Sequence, residues 1–183
     1  MPSITETAEV GVDSGTLWTE IGDFGAVGRW HPWLQALEID DDRRGCIRIA
    51  NPGTQSEQVE RLQSADSGRH CYRYTIERTS MPVRDYVGEL RVEPLSASAS
   101  RVVWTARFEL ASEGDGRTVE AVRHFLHAGT ENLRARYGTQ IQPEPPGVEH
   151  DIAAADQRAR TGTDREPVRG SPPAGAWNDT SSD

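Results

Sequence analysis

A chain of 183 residues has room for one domain with a sizeable core and an extension beyond it. Its formal charge of −9 and pI near 5.1 argue against nucleic acid or anionic lipid as the main partner, because phosphate binding calls for a positive surface. All twenty basic residues are arginine, which excludes Schiff-base chemistry on a lysine amine, covalent attachment of pyridoxal phosphate included.

Residues 4–12, ITETAEVGV, alternate as a first strand with Ile4, Thr7 or Ala8, and Val10 toward a covered face. Asp13 or Ser14 then caps a helix by accepting from the free amides of its first turn, and Leu17, Trp18 and Ile21 give that helix one apolar stripe. Gly22 and Gly25 end it. There follows GAVGRWHPWL at 25–34, with two indoles and an imidazole within four positions, broken by Pro32. Proline cannot donate a backbone hydrogen bond and disfavours helical geometry at the residue before it, so this stretch reads as a short helix or turn hanging Trp30, His31 and Trp33 over the interior. The plainer alternative is that both tryptophans plug one end of the core.

From residue 34 the pattern changes to period two. Strands are predicted at 34–39, 46–50, 56–65, 69–78, 86–92 and 101–111, separated by the turn signals DDRRG, NPG, DSG, SMP and SASAS. Connections this short make antiparallel neighbours, since a parallel pair needs a crossover of about a dozen residues or more. A meander is the result. Alternation then sorts the sides: Val102, Trp104, Ala106, Phe108 and Leu110 share an inner face, as do Tyr72, Tyr74 and Ile76, and Tyr86, Gly88, Leu90 and Val92. The register holding Leu62 also holds Gln58 and Glu60, which turns a carboxylate inward, where it must be paired or near water.

The longest helical pattern runs over 118–137, with Val119, Val122, Phe125, Leu126, Gly129 and Leu133 on its apolar face. Only the sheet is large enough to cover that face. Past Gly138 the chain turns to Pro, Gly, Ser, Thr and charge, too little apolar surface to offset the entropy of ordering, so 1–140 is read as the domain and 141–183 as a disordered tail. Within the tail 151–160 could form helix transiently, and Trp177 is either incidental or an anchor for a protein partner.

Cys46 and Cys71 have no CxxC spacing and no secretory segment precedes the first strand, so two reduced thiols in a cytoplasmic protein are expected, a single disulfide being the alternative. No stretch approaches the roughly 18 apolar residues of a membrane span. His124 and His127 stand three apart on the long helix without an inward third ligand, and no metal is expected. P-loop, GxGxxG and GxSxG motifs are absent, which leaves nucleotide and esterase readings without support and no cofactor expected.

TLWTEIGDFGAVGRWHPWL at 16–34, VERLQSAD at 59–66, YRYTI at 72–76 with DYVGELRVEP at 85–94, and RVVWTARFE at 101–109, taken in this order and spacing, resemble the SRPBCC superfamily. That superfamily includes START lipid-transfer domains, the birch-pollen allergen class, polyketide cyclase/dehydrases and the plant abscisic acid receptors. The resemblance covers about residues 3–138. It implies an α+β helix-grip fold, with a seven-stranded antiparallel sheet wrapped around the long C-terminal helix and two short helices after the first strand. A deep cavity would lie between sheet and helix, its mouth flanked by Trp30 to Trp33 and by the loop around Ser80 to Arg84. In the plant receptors the glutamate of the corresponding ERL stretch lines the pocket, a tyrosine matching Tyr86 does too, and the position of His31 holds a lysine that meets a ligand carboxylate. Glu60, Tyr86 and His31 are therefore expected in the pocket, with His in place of Lys weakening any inference of an acidic ligand.

Two functional readings follow. In the first, an enzyme like the polyketide cyclase/dehydrases holds an apolar, oxygenated substrate, His31 or Glu60 moves protons, and Tyr74 or Tyr86 holds carbonyl or enolate oxygens. His31 titrates nearest neutral pH, and its open roles are catalysis, polar ligand contact or a structural hydrogen bond. Trp30, Trp33, Tyr72, Trp104, Phe108, Phe125 and Gly129 are expected to line the ligand, with Arg84 clamping an anionic group at the mouth. In the second reading a carrier or sensor uses the same cavity for a lipid-like molecule without altering it. A third, an interaction module that finds a protein partner through the tail, rests on the tail and Trp177 alone.

Overall fold

The computed structural model describes residues 1–34, 36–111 and 116–138; the expected tail and Trp177 lie outside the described residues. Strand β1 (Ser3–Val10) leads into α1 (Ser14–Ile21), a 3-10 turn (Phe24–Ala26) and α2 (Val27–Trp30). Then come β2 (Leu37–Asp42), β3 (Gly45–Ala50), β4 (Gln58–Asp66), β5 (Cys71–Arg78), β6 (Val83–Ser96), β7 (Ala99–Leu110) and the long α3 (Gly116–Tyr137). The strands form one antiparallel sheet in the order β1-β7-β6-β5-β4-β3-β2, and α3 lies against β1 and β7. This is the helix-grip fold.

Local chemistry sets the helix ends. Asp13 is the cap of α1, its carboxylate accepting from Thr16 N at 2.9 Å, and Asp23 caps the 3-10 turn through Gly25 N at 2.8 Å. Pro32 ends α2: His31 is extended, with φ −89° and ψ 124°, while its N–H still closes on the Val27 carbonyl. Where DDRRG signals a turn, Asp41 and Asp42 belong instead to β2, an edge strand whose acidic residues face solvent and discourage further pairing.

Register shifts in β4 and at both ends of β6 bend these strands around α3. On the outer side of the bend Arg61 ties the strands together. Its Nε and Nη2 donate to the Glu77 carboxylate, its Nη1 and Nη2 to Asp42, and its Nη1 also to the Gly45 carbonyl. Those bonds hold both carboxyls below the usual carboxylate range.

The core fills much of the grip. Leu90, Val102, Trp104, Ala106 and Phe108 are fully buried, as the alternation of β6 and β7 requires. On α3 the buried set is Thr118, Val122, Leu126, Gly129, Thr130 and Leu133. The two threonines are additions to the expected stripe, and Thr130 satisfies its hydroxyl by donating back to the Leu126 and His127 carbonyls.

Candidate functional site

Among the described residues, two openings reach the interior. A front chamber of about 250 Å³ lies where α3 passes the ends of β3 to β6, walled by Trp33, Leu34, Ala50, Met81, Val122 and Phe125. Its polar groups are Asn51, Ser56, Gln58, Glu60, Thr79, Ser80 and Tyr86. A rear groove of about 460 Å³ lies between α1, the 3-10 turn and β2 to β5, against Trp18, Phe24, Ile39, Cys46, Leu62 and Tyr72. The larger opening is the weaker candidate, because Asp23 Oδ1 accepts from Gly25 N and Thr19 Oγ1 donates to the Gly15 carbonyl, leaving the hydroxyls of Ser67 and Tyr72, fewer polar groups than the front chamber offers. Convergent polar groups in an apolar wall belong to the front chamber.

Glu60 enters that chamber as half of a buried ion pair. It stands directly across from Arg48 on β3, whose Nε donates to Glu60 Oε2. Gln58 Nε2 donates to the other carboxylate oxygen at 2.7 Å, and Thr79 Oγ1 donates to Gln58 Oε1 at 3.1 Å. Arg48 is 1 % exposed. Its Nη1 donates to the Phe24 carbonyl at 2.8 Å, and its Cζ lies 4.1 Å from the Phe24 ring centre and 4.7 Å from that of Tyr74. Burial opposes this charge, yet the Glu60 carboxylate and the neighbouring phenols leave the guanidinium holding its proton more tightly than a free arginine. Arg48 is the functional-site residue that the sequence reading missed. The partial signal was its alternation onto one face with Cys46 and Ala50; that Glu60 faces it comes from the strand pairing.

The tyrosines serve different neighbours. Tyr74 accepts from Trp104 Nε1 at 3.2 Å and lies across Gly88, where a Cβ would stand 2.2 Å from the ring. Tyr86, stacked on Phe108 with ring centres 5.8 Å apart, reaches the chamber wall, and burial pushes its phenol well up, so it stays a neutral O–H.

His31 does not take the place expected of a mouth acid or base. It is 3 % exposed, its Nε2–H donates to the Phe125 carbonyl at 3.0 Å, and its Nδ1 accepts from Trp33 N at 3.2 Å. Burial lowers its pKa to about 4, against the Phe125 carbonyl, which raises it, and with Arg48 adding a smaller lowering. The ring is stacked on Phe125 at 4.0 Å and edge-on to Trp104 at 5.7 Å. Of the three open roles, the geometry is that of the structural hydrogen bond.

The expected ligand-contact set separates into three groups. Trp33, 45 % exposed, and Phe125 do face the front chamber. Trp30, Tyr72, Trp104 and Phe108 are core; Trp30 Nε1 and the Tyr72 hydroxyl are buried without partners, and Tyr72 borders the rear groove rather than the chamber. Arg84 and Gly129 lie outside. Arg84 is on the exposed start of β6, where the register shift before Val87 and a positive φ of 49° at Asp85 turn it away from the chamber. Gly129 is a close-packing glycine. A Cβ there would stand 2.6 Å from Trp104 Cζ3 and 2.7 Å from His31 Cδ2. Gly129→Ala is therefore expected to lower the melting temperature by several degrees in calorimetry, the overpacking cost of about 1–3 kcal/mol outweighing the ~1 kcal/mol gain in helix propensity.

Among the described residues no three potential ligands gather around a point that could hold a metal; His124 packs edge-on to Trp33 and His127 Nδ1 is 3.2 Å from Glu6 Oε2. Cys46 and Cys71 are free thiols.

Residues 1–138 match the family described as polyketide cyclase/dehydrase and lipid transport. The chain belongs to that family. Membership in the polyketide cyclase/dehydrase and lipid transport family supports a ligand-binding protein. Solved structures share its fold. One from Thermobifida fusca is 29 % identical, with a TM-score of 0.66 over 75 % of this chain and 94 % of that one. The Zhui aromatase/cyclase from Streptomyces sp. R1128 is 19 % identical, with a TM-score of 0.61 over 74 % and 92 %. A START superfamily protein from Mycobacterium smegmatis is 14 % identical, with a TM-score of 0.60 over 74 % and 96 %. No protein of curated function matches the chain. Among the described residues, no helix is long and apolar enough to cross a membrane.

Proposed function

We propose that the chain binds a neutral, oxygen-bearing small molecule in the front chamber and carries or senses it without acid–base chemistry of its own. The observation that carries this reading is the commitment of the candidate proton-transfer groups. His31 has both ring nitrogens engaged, and Glu60 has both oxygens engaged by Arg48 and Gln58. A general base must be within reach of a substrate proton and free to take it up: neither ring nitrogen of His31 is free, and a proton on Glu60 would break its ion pair with the buried Arg48 guanidinium. What remains toward the chamber is hydrogen-bonding capacity in an aromatic wall, the composition of a binding site.

Native mass spectrometry of protein purified from its own host tests this. A bound small molecule is expected in wild type and is expected to vanish in Ala121→Trp, whose indole would grow from an exposed position of α3 into the chamber, with the melting temperature held. A preparation that comes out empty, and that binds no neutral phenol, ketone or alcohol offered to it, overturns the reading. A second reading, cyclisation or dehydration of the bound molecule, is favoured by Glu60 and Tyr86 sharing one wall and by the family's description. Turnover that Tyr86→Phe abolishes while binding persists would select it.

A further inference from the structure

We propose that Arg48 is a partition. It separates the front chamber from the rear groove and so limits the front chamber to a neutral, oxygenated molecule of about one ring, excluding long chains. This rests on the reading of the front chamber as the ligand site.

The partition follows from one strand. Along the inner face of β3, Cys46, Arg48 and Ala50 succeed one another at steps of about 7 Å. Cys46 lines the rear groove and Ala50 lines the front chamber; Arg48, between them, lines neither and is buried. The same order repeats on β4, where Leu62 faces the rear and Glu60 the front. The Arg48 guanidinium fills the gap between, with the Phe24 and Tyr74 rings against it, Glu60 across from it and the Phe24 carbonyl bonded to it. A ligand could not push such a group aside cheaply, because each of its partners is itself buried and would lose a charge-assisted contact.

Size and charge then point to one class. The front chamber, at about 250 Å³, falls below the roughly 300–1,000 Å³ that encloses drug-sized ligands. Among the described residues its only charged lining group is Glu60, already neutralised by Arg48, and its other polar groups are hydroxyls and amides. A carboxylate headgroup finds no free cation there, whereas a phenol, alcohol or ketone finds hydrogen bonds.

Calorimetric titration of the full chain with 4-alkylphenols, from the methyl to the dodecyl member, reads the partition directly. Wild type should gain about fourfold in affinity per buried methylene for the first few carbons and then lose affinity abruptly. In Arg48→Ala/Glu60→Gln, which removes the bulk and the charge together, the gain should continue, with the octyl and longer members at least about tenfold tighter than in wild type. Arg48→Met/Glu60→Gln keeps the bulk without the charged contacts that anchor it, and its limit should fall between those of wild type and the alanine variant. Should the alanine variant fail to fold, Arg48→Val/Glu60→Gln replaces it. Affinity that climbs through the dodecyl member in wild type, or a limit at the same length in the alanine variant, overturns the partition. Failure of every phenol to bind wild type removes the ligand reading instead, and xenon-pressurised crystals of the alanine variant then decide alone. One continuous void from Cys46 to Ala50 supports the partition, and two separate voids overturn it.

Discussion

Arg48→Met is expected to lower the free energy of unfolding by about 3–5 kcal/mol in urea titrations followed by circular dichroism, with little change in the denaturant slope. The loss would not measure what the ion pair contributes; it measures what removal of one partner strands. Glu60, its side chain 6 % exposed, would keep only the Gln58 amide as a partner for a full negative charge. Phe24 and Tyr74 would lose the cation between their rings, and the Phe24 carbonyl its donor. The double variant Arg48→Met/Glu60→Gln removes both charges at similar volume and should recover to within about 1.5 kcal/mol of wild type. With Glu60→Gln completing the cycle, the coupling should be large and favourable. A loss under about 1 kcal/mol in the single variant would place the pair with solvated surface bridges and contradict its burial.

The reason Arg48 escaped notice in the sequence separates what a single chain reveals from what it hides. Period-two alternation assigns Val102, Trp104, Ala106 and Phe108 to the interior because that register is apolar throughout while Thr105, Arg107 and Glu109 fall on the other, and β7 is buried in that order. Pro32 constrains His31 through a clash between adjacent residues, which needs no tertiary knowledge. The Asp13 cap is likewise a matter of three residues. Arg48 differs because an arginine in a short strand reads as outward until its cross-strand neighbour is known. That neighbour, Glu60, is fixed by the β3–β4 register, which local periodicity does not encode. Arg84 illustrates the opposite failure: a bulge near Asp85 inserts a residue and turns a side chain that alternation would have placed with Tyr86. Gly129 was read as part of an apolar stripe, and it is; that Trp104 and His31 occupy the space of its missing side chain depends on how close α3 comes to the sheet.

Depth is equally invisible to periodicity, and His31 shows the consequence in its expected response to acid. Its imidazole is neutral in the fold, with the Nε2 proton on the Phe125 carbonyl and the Nδ1 lone pair receiving the Trp33 N–H. A second proton would have to go onto Nδ1, facing a donor, in a ring buried among Trp30, Trp104 and Phe125 and near the Arg48 charge. Burial thus depresses the pKa from 6.5 to about 4. A base with its folded value below its unfolded one contributes fully above pH 6.5, and that contribution is lost as pH falls toward 4, on the order of 3 kcal/mol in all. Asp42, Glu57 and Glu77, held below the usual carboxylate range, lose their own contributions further down, as pH falls through their lowered values. Melting temperatures stepped from pH 7 to 4 should therefore fall for wild type and fall less steeply for His31→Gln, which cannot take up the proton. Proton NMR of the imidazole C–H should show the His31 resonance unchanged above pH 5. An imidazole at position 31 that titrates near 6.5, with equal slopes in the two proteins, would mean that water reaches the ring and that the aromatic wall behind Trp33 is open.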